Sequence, residues 1–374
     1  MNKLYIYQQK KWPHFQWEKK SVAEKVSLVE MQIQLFFVRI SSLGFSMQTQ
    51  AILNALTEEI VKTSAIEGEH FSQKVVRSSL CRHLGIEDLS LGPINRQVEG
   101  LVEIMIDVTR NPIHQLTFEK LFDWQSALFP SGRSGLVKIA VGQFRDDHSG
   151  PMQVVSGSLN KPKIHFIAPP ASELKKEMKG FLKWFNKGSD GESVIIKAAI
   201  THLWFLTLHP FEDGKGRLAR VLTELVFAQA SAGGPYFYSL SAQIEKDKKS
   251  YYAILEATQK GSMDITEWLL WFCQTLSRAI TTAEKTHEKV LFKNYFWNSY
   301  VDQVFTDRQK KVLNRMLDGF EGKMTSSRWA ALAKCSQDTA ARDIQDLIHR
   351  QILKKSTSGG RSTSYDLVLV GSSK

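Results

Sequence analysis

His209-Pro210-Phe211-Glu212-Asp213-Gly214-Lys215-Gly216-Arg217-Leu218-Ala219-Arg220 is the stretch on which the reading of this chain turns. It ends an apolar run at helical spacing, breaks at a proline and opens a second helix. Pro210 stops the first helix, which puts His209 at a helix–loop junction with its ring facing a cleft. Gly214 and Gly216 let backbone N–H groups converge on an anion with no Cβ in the way. The helix that follows adds the positive end of its dipole. Arg217 and Arg220 lie three residues apart and point toward one ligand. Asp213 is a hard oxygen ligand suited to Mg²⁺ shared with phosphates. His209, with an ordinary pKa near neutrality, suits a general base. Together these parts predict nucleotidyl or phosphoryl transfer, carried by positioning and electrostatics.

Working outward, helices are predicted over 192–208 and 215–231, on either side of the motif. Upstream, Val154-Val155 and Ile164-His165-Phe166-Ile167 are β-prone and separated by Gly157, Asn160 and Pro162, which predicts a hairpin over 152–168. Pro169-Pro170 ends it, and Ser172 is placed to cap a helix reaching about residue 186. Downstream, Gly233-Gly234-Pro235 breaks the chain, helices follow over 248–260 and 264–290, and Asp264 reads as an N-cap. The first forty residues are rich in aromatics (Trp12, Phe15, Trp17, Phe36, Phe37) and contain a helix over 22–40. A second helix runs over 47–66, with Gly68 as its stop signal. Weakly helical segments continue to about residue 130.

Length and composition set the outer limits. A chain of 374 residues with 43% hydrophobic and 23% charged residues is that of a globular protein with two or three domains. No run reaches the roughly 20 apolar residues of a membrane span, and the first residues do not read as a secretory signal. Cys81, Cys273 and Cys335 are widely spaced and fit reduced thiols in the cytoplasm. The net charge is +11, and residues 305–374 carry 13 basic against 7 acidic side chains, so nucleic acid is a candidate partner for that end.

The motif at 209–220 resembles the Fic signature HPFx(D/E)GNGRxxR. The resemblance implies a mainly α protein with a Fic helical core and a β-hairpin flap. It also implies transfer of AMP from ATP to a Ser, Thr or Tyr hydroxyl of a target protein or of the chain itself. On that reading His209 is the base that activates the hydroxyl and Phe211 packs the loop into the core. Asp213 holds Mg²⁺. Gly214, Lys215, Gly216 and Arg217 cradle the phosphates, and Arg220 takes the γ-phosphate. Lys215 stands where the family commonly has asparagine, and lysine still reaches phosphate. His202, Trp204 and Phe205 resemble the family's core helix, with His202 structural. Tyr251 or Tyr252 borders the adenine. The hairpin at 152–168 matches the flap, which holds the target segment as an added strand.

Thr63-Ser64-Ala65-Ile66-Glu67-Gly68 resembles the inhibitory motif (S/T)xxxE(G/N) of Fic proteins that carry their own brake. The resemblance implies a pair between Glu67 and Arg220 in the place of the γ-phosphate, which keeps ATP from lying productively. A bidentate, charge-assisted pair competes with a phosphate contact of the same kind. Removal of AMP is a second enzymatic reading, with Glu67 orienting water. Transfer of another phosphate-bearing group is a third.

The last seventy residues predict helices over 307–319, 326–334 and 337–350. The basic stretch from Lys354 to Arg361 follows, and then a β-prone run over 365–370. Three helices and a basic hairpin describe a winged helix-turn-helix. Arg342, with Gln337, Thr339 and His349, is predicted to face DNA, while Lys354, Lys355 and Arg361 meet phosphates. Ile344, Leu347, Ile348, Ile352 and Leu353 form the predicted core. The domains so drawn are 1–95, helical with the inhibitory motif, 96–295, the Fic core, and 300–374. A DNA-binding regulator with a nucleotide-sensing core is the alternative from another class. A homodimer is the expected assembly.

Overall fold

The structure, a computed structural model, describes residues 4–41, 44–86, 94–148, 150–158, 161–187, 191–231, 237–319, 322–356 and 363–368. The predicted break at 233–235, Asn160 and Arg361 lie outside them. The fold is mainly helical. Its elements are α1 (Lys19–Ser41), α2 (Phe45–Ile66), α3 (Gln73–Leu84), α4 (Arg96–Arg110), α5 (Phe118–Leu128), β1 (Arg133–Ser134), β2 (Val137–Lys138), β3 (Gln153–Ser158), β4 (Lys161–Ile167), α6 (Ala171–Asn186), α7 (Val194–Leu208), α8 (Lys215–Ala230), α9 (Leu240–Lys246), α10 (Lys248–Gln259), α11 (Thr266–Ser299), α12 (Asp307–Leu317), β5 (Met324–Thr325), α13 (Ser326–Ala333), α14 (Gln337–His349), β6 (Leu353–Lys355) and β7 (Ser364–Leu367). Two compact units divide the chain, Met1–Ala283 and Glu284–Lys374.

In the first unit α7 is the hub. Every residue from Ile195 to Leu208 is buried, which is what a helix apolar on all sides requires. It packs on α8 and α6, and α2 packs on α3 and α9. The N-terminal aromatics reach the same centre: Trp12 and Phe15 meet the Trp204 ring edge-on at 5.8 and 5.9 Å. Tyr5 and Tyr7 stand edge-on to Phe166 of β4 at 5.0 and 6.0 Å, and the Tyr7 hydroxyl donates to the Ala168 carbonyl. The first residues therefore support the foot of the hairpin, a role that a count of aromatics does not reveal.

The antiparallel pair β3–β4 forms that hairpin, with a register shift between Val154 and Val155. Its outward side chains Val154, Val155 and Ile164 are exposed. Two local expectations need correction. α6 starts at Ala171, not behind a Ser172 cap, because the carboxylate of Asp147 accepts the Ala171 N–H. The helix predicted over 264–290 extends to Ser299. At its start, Asp264 accepts the N–H of Thr266 at 2.9 Å. The second unit has α12, α13 and α14 around Val312, Leu313, Trp329, Ile344 and Leu347, with an antiparallel sheet of order β5-β7-β6. Ile352 and Leu353 join this core, and Ile348 packs against it.

Candidate active site

The site is built where α7 stops and α8 starts. His209 is the C-cap of α7, in the left-handed region at φ 52°, ψ 55°, and its N–H still closes the helix onto the Phe205 carbonyl. A non-glycine residue holds that conformation at some cost. Pro210 disfavours the right-handed helical alternative for its predecessor. The ring is buried and touches the Leu206 carbonyl, and Nε2 has no partner among the described residues. Burial first, then the charges of Lys215 and Arg145, hold the imidazole pKa well below its ordinary value. The ring is therefore neutral at working pH, with Nε2 left as an acceptor.

Phe211 anchors the loop. It is fully buried, with its ring 6.1–6.3 Å from those of Phe122, Phe144 and Phe205. Glu212 accepts the Ala140 N–H at 3.0 Å, and the Ser134 hydroxyl donates to Asp213. The small β1–β2 hairpin thus holds the acidic part of the loop from below. Gly214 lies at φ 84°, and a Cβ there would stand 2.8 Å from Phe129. Among the described residues no group of three or more His, Cys, Asp or Glu side chains is arranged to hold a metal. Asp213 offers one carboxylate beside the start of α8. That donor set fits Mg²⁺, which commonly takes one or two carboxylates and completes its shell with water and substrate phosphates.

The anion cradle is occupied from within. A Cβ on Gly216 would stand 2.0 Å from Oε1 of Glu67, so the carboxylate lies directly over the backbone of the nest. The same Oε1 accepts from Arg220 Nη2 at 2.7 Å. Arg220 is 2% exposed and is tied to α2 twice more, through Nε to the Thr63 hydroxyl at 2.6 Å and Nη2 to the Thr63 carbonyl at 2.9 Å. Burial pulls the Arg220 pKa down, but Glu67 and the other partners outweigh it and the net shift is upward. Glu67 itself caps α2, and Gly68 turns away at φ 88°.

Arg217 is also taken. Nη1 donates to Glu69 Oε2 at 2.7 Å, and the guanidinium lies 4.9 Å from the centre of the Phe129 ring. Nothing in the sequence points to Glu69. Lys215 is half-buried, and desolvation lowers its pKa against the pull of the Asp213 and Glu67 charges.

A cavity of about 630 Å³ opens beside these groups, lined by His209, Lys215, Gly216, Glu67, Tyr252 and the hairpin. Tyr252 stands at its edge, 43% exposed, with its pKa raised to about 12 by burial and then by the Glu67 charge. Tyr251 lines the same cavity from a buried position, its hydroxyl 2.8 Å from His202 Nε2. Thr223 holds the other nitrogen of His202 at 3.0 Å, and burial lowers the ring's pKa to about 3. His202 is a structural link among α7, α8 and α10.

Arg342, Lys354 and Lys355 lie in the second unit, exposed on α14 and β6. Gln337, Thr339 and His349 share α14 with Arg342, while Glu67, His209, Phe211, Asp213, the Gly214–Gly216 turn, Arg217, Arg220 and Tyr252 gather around the start of α8 and the cavity beside it. Arg145, Ser134 and Glu69 are the additions.

Residues 113–227 match the model of the Fic/DOC family, and residues 5–86 that of a Domain of unknown function (DUF4172). The chain is similar to the "Protein adenylyltransferase Fic" of Nematostella vectensis, at 23% identity over 256 residues, 67% of this chain and 53% of the relative. It thus spans about half the length of that curated relative. Among solved structures it is similar to a Fic family protein from Desulfovibrio desulfuricans, with a TM-score of 0.56 and 17% identity over 97% of this chain and all of that one. A Fic domain containing signaling protein from Bacteroides thetaiotaomicron aligns with a TM-score of 0.50 and 17% identity over 69% of this chain and 95% of that one. These likenesses show the fold.

Proposed function

We propose that this chain, whose residues 113–227 match the model of the Fic/DOC family, is an autoinhibited protein adenylyltransferase that moves AMP from ATP to a hydroxyl of a target protein or of itself. One observation carries the reading. A buried, neutral histidine with an unpartnered Nε2 shares a cavity with a glycine-lined helix N-terminus, and a carboxylate of the same chain sits on that N-terminus.

The chemistry follows from the placement of the groups. ATP lies with its phosphates along Gly214–Gly216 and the start of α8, where N–H groups and the helix dipole meet the charge. Arg217 and Arg220 take phosphate oxygens once their carboxylates leave. Nε2 of His209 removes the proton from the acceptor hydroxyl as its oxygen bonds to the α-phosphorus. The bond from that phosphorus to the bridging oxygen breaks, and pyrophosphate departs. Asp213 would hold Mg²⁺ together with the phosphates, and the ion would supply neutralisation of charge on the leaving group. Lys215 adds a cation at the same end of α8. The exposed hairpin lays the acceptor segment beside His209, and Tyr252 borders the base.

Glu67 opposes this arrangement. Its carboxylate holds Arg220 and covers Gly216, the two places a terminal phosphate needs. Coupling of this kind is typically worth about 5–150-fold. Glu67→Gly is therefore expected to raise incorporation of label from α-labelled ATP by at least about tenfold. Adding His209→Ala abolishes it, by roughly 10²–10⁴-fold. Equal incorporation by folded Glu67→Gly and parent protein would sink the brake, and incorporation that survives His209→Ala would sink the base.

For the second unit we read a winged helix-turn-helix that contacts duplex DNA. Of the α14 carboxylates, Asp343 is buried and pairs with Arg308, while Asp346 stays 49% exposed, accepting from Gln309 and pairing with Arg350. Gln337, Arg342 and His349 are exposed on this helix, together with Asp338 and Asp346.

A further inference from the structure

Arg145 lies between β2 and β3, is 3% exposed, and spends its donors in three directions. Nε donates to the His209 carbonyl at 2.7 Å. Nη2 donates to the Pro169 carbonyl at 2.6 Å, where the chain leaves the β3–β4 hairpin. Nη1 meets Asp147 at 2.6 Å, on the strand's approach to the hairpin. The Arg145 N–H adds a fourth bond, to the Pro210 carbonyl at 3.0 Å. Asp147 closes the circuit by accepting the Ala171 N–H on the far side of the hairpin. Both feet of the hairpin and the His209 carbonyl are thus fixed on one planar fork, and the Pro210 carbonyl is held by the backbone N–H of the same residue.

We infer that Arg145 is a positioning residue for His209 that couples the seat of the β3–β4 hairpin to the orientation of the catalytic ring. This rests on the reading of His209 as the base. The argument is geometric. The His209 carbonyl sets the peptide plane between His209 and Pro210, and that plane fixes ψ of a residue already in the left-handed region. With ψ fixed, the Cα–Cβ bond can point in only one direction. The guanidinium that holds this plane also holds Pro169, so a displaced hairpin pulls on the fork and through it on the ring. A lysine supplies charge but a single point of donation, and cannot span three segments.

The test uses the full chain in the Glu67→Gly background, with α-labelled ATP as the probe and self-incorporation as the readout. R145K and R145M are each compared with the parent. The expected result is a KM for ATP within threefold of the parent and a maximal rate at least tenfold lower, with R145K recovering part of the loss of R145M. A merely structural lesion would instead lower the bound fraction and the rate together. Hydrogen exchange gives a readout that needs no activity. The amides of 153–167 and those of His209 and Phe211 should exchange faster together in R145K, by about fivefold or more, while the interior of α7 is unchanged. Should R145M fail to fold, R145K decides. A maximal rate within twofold of the parent, with unchanged hairpin exchange, overturns the inference. If the parent incorporates no label, the transferase reading falls. Exchange then decides the coupling alone: joint loosening supports it and unchanged protection refutes it.

Discussion

At His209 the backbone and the ring are set by different forces. The end of α7 and the demands of Pro210 put the residue in the left-handed region; its place at a helix–loop junction was legible from twelve letters, its backbone conformation was not. The electrostatics were not. Burial and the charges of Lys215 and Arg145 all push the ring's pKa down. A depressed pKa keeps the base form populated to lower pH than a free imidazole would. With ATP saturating, the rate of Glu67→Gly protein should therefore stay level as pH falls through about 6.5, the ordinary imidazole value, and decline only below it. Lys215 also gains a meaning here. It is the first charge acting on His209, so Lys215→Asn should move the acid limb upward toward that ordinary value. A limb at or above 6.5 in the parent, or one that Lys215→Asn leaves in place, contradicts this account of the ring. Arg145 was missed for a plain reason: it meets His209 across 64 residues of sequence, and no periodicity marks such a partner.

At the scale of elements, α2 acts on α8 through two carboxylates separated by one glycine. Gly68 reverses the chain at φ 88°, which lets Glu67 and Glu69 approach Arg220 and Arg217 side by side. The two pairs differ in exposure. The Glu67 side chain is 29% exposed against an arginine at 2%, and Glu69 is 33% exposed against 4%. Glu67 is reinforced by Thr63 and by its position over the nest, whereas Glu69 stands at the edge. A partly solvated pair is worth about 0.2–1 kcal/mol, a factor of up to about five. Glu69→Gln should thus raise label incorporation up to fivefold on its own, less than Glu67→Gly does. The double variant should exceed Glu67→Gly alone, measured as initial rate at subsaturating ATP. No gain in either background would remove Glu69 from the brake. The six-residue motif pointed to Glu67 because it sits beside a helix end and has a signature. Glu69 reaches Arg217 over 148 residues with no signature, and only the turn at Gly68 reveals it. The hairpin was legible from two β-prone runs separated by turn formers, yet its attachment through Arg145, Asp147 and Tyr7 was not.

At the scale of the whole molecule, two units share one chain, and the second tests whether the protein does more than the proposed transfer. Its sequence is basic by a net +6 over residues 305–374, but net charge alone does not choose between DNA and protein partners. The placement of the acids on α14 bears on that choice. Of the three aspartates on α14, Asp343 is buried against Arg308, Asp346 is half-exposed but engaged by Gln309 and Arg350, and Asp338 stands on the outer face. Arg342 stands on that face, and Lys354 and Lys355 are exposed on β6. A lysine that neutralises a phosphate releases counterion, so removing one such lysine should reduce the salt slope of binding by about 1. The full chain should therefore retard duplex DNA at low salt. Lys354→Ala with Lys355→Ala should weaken binding evenly across sequences and flatten the slope by up to about 2. Arg342→Ala, on the helix that would enter the groove, should change sequence preference as well as affinity. Retardation titrated over about 50–200 mM salt separates these outcomes. Absence of any shift at the low end, with the nucleotide site intact, would return the second unit to the class of protein-contacting modules.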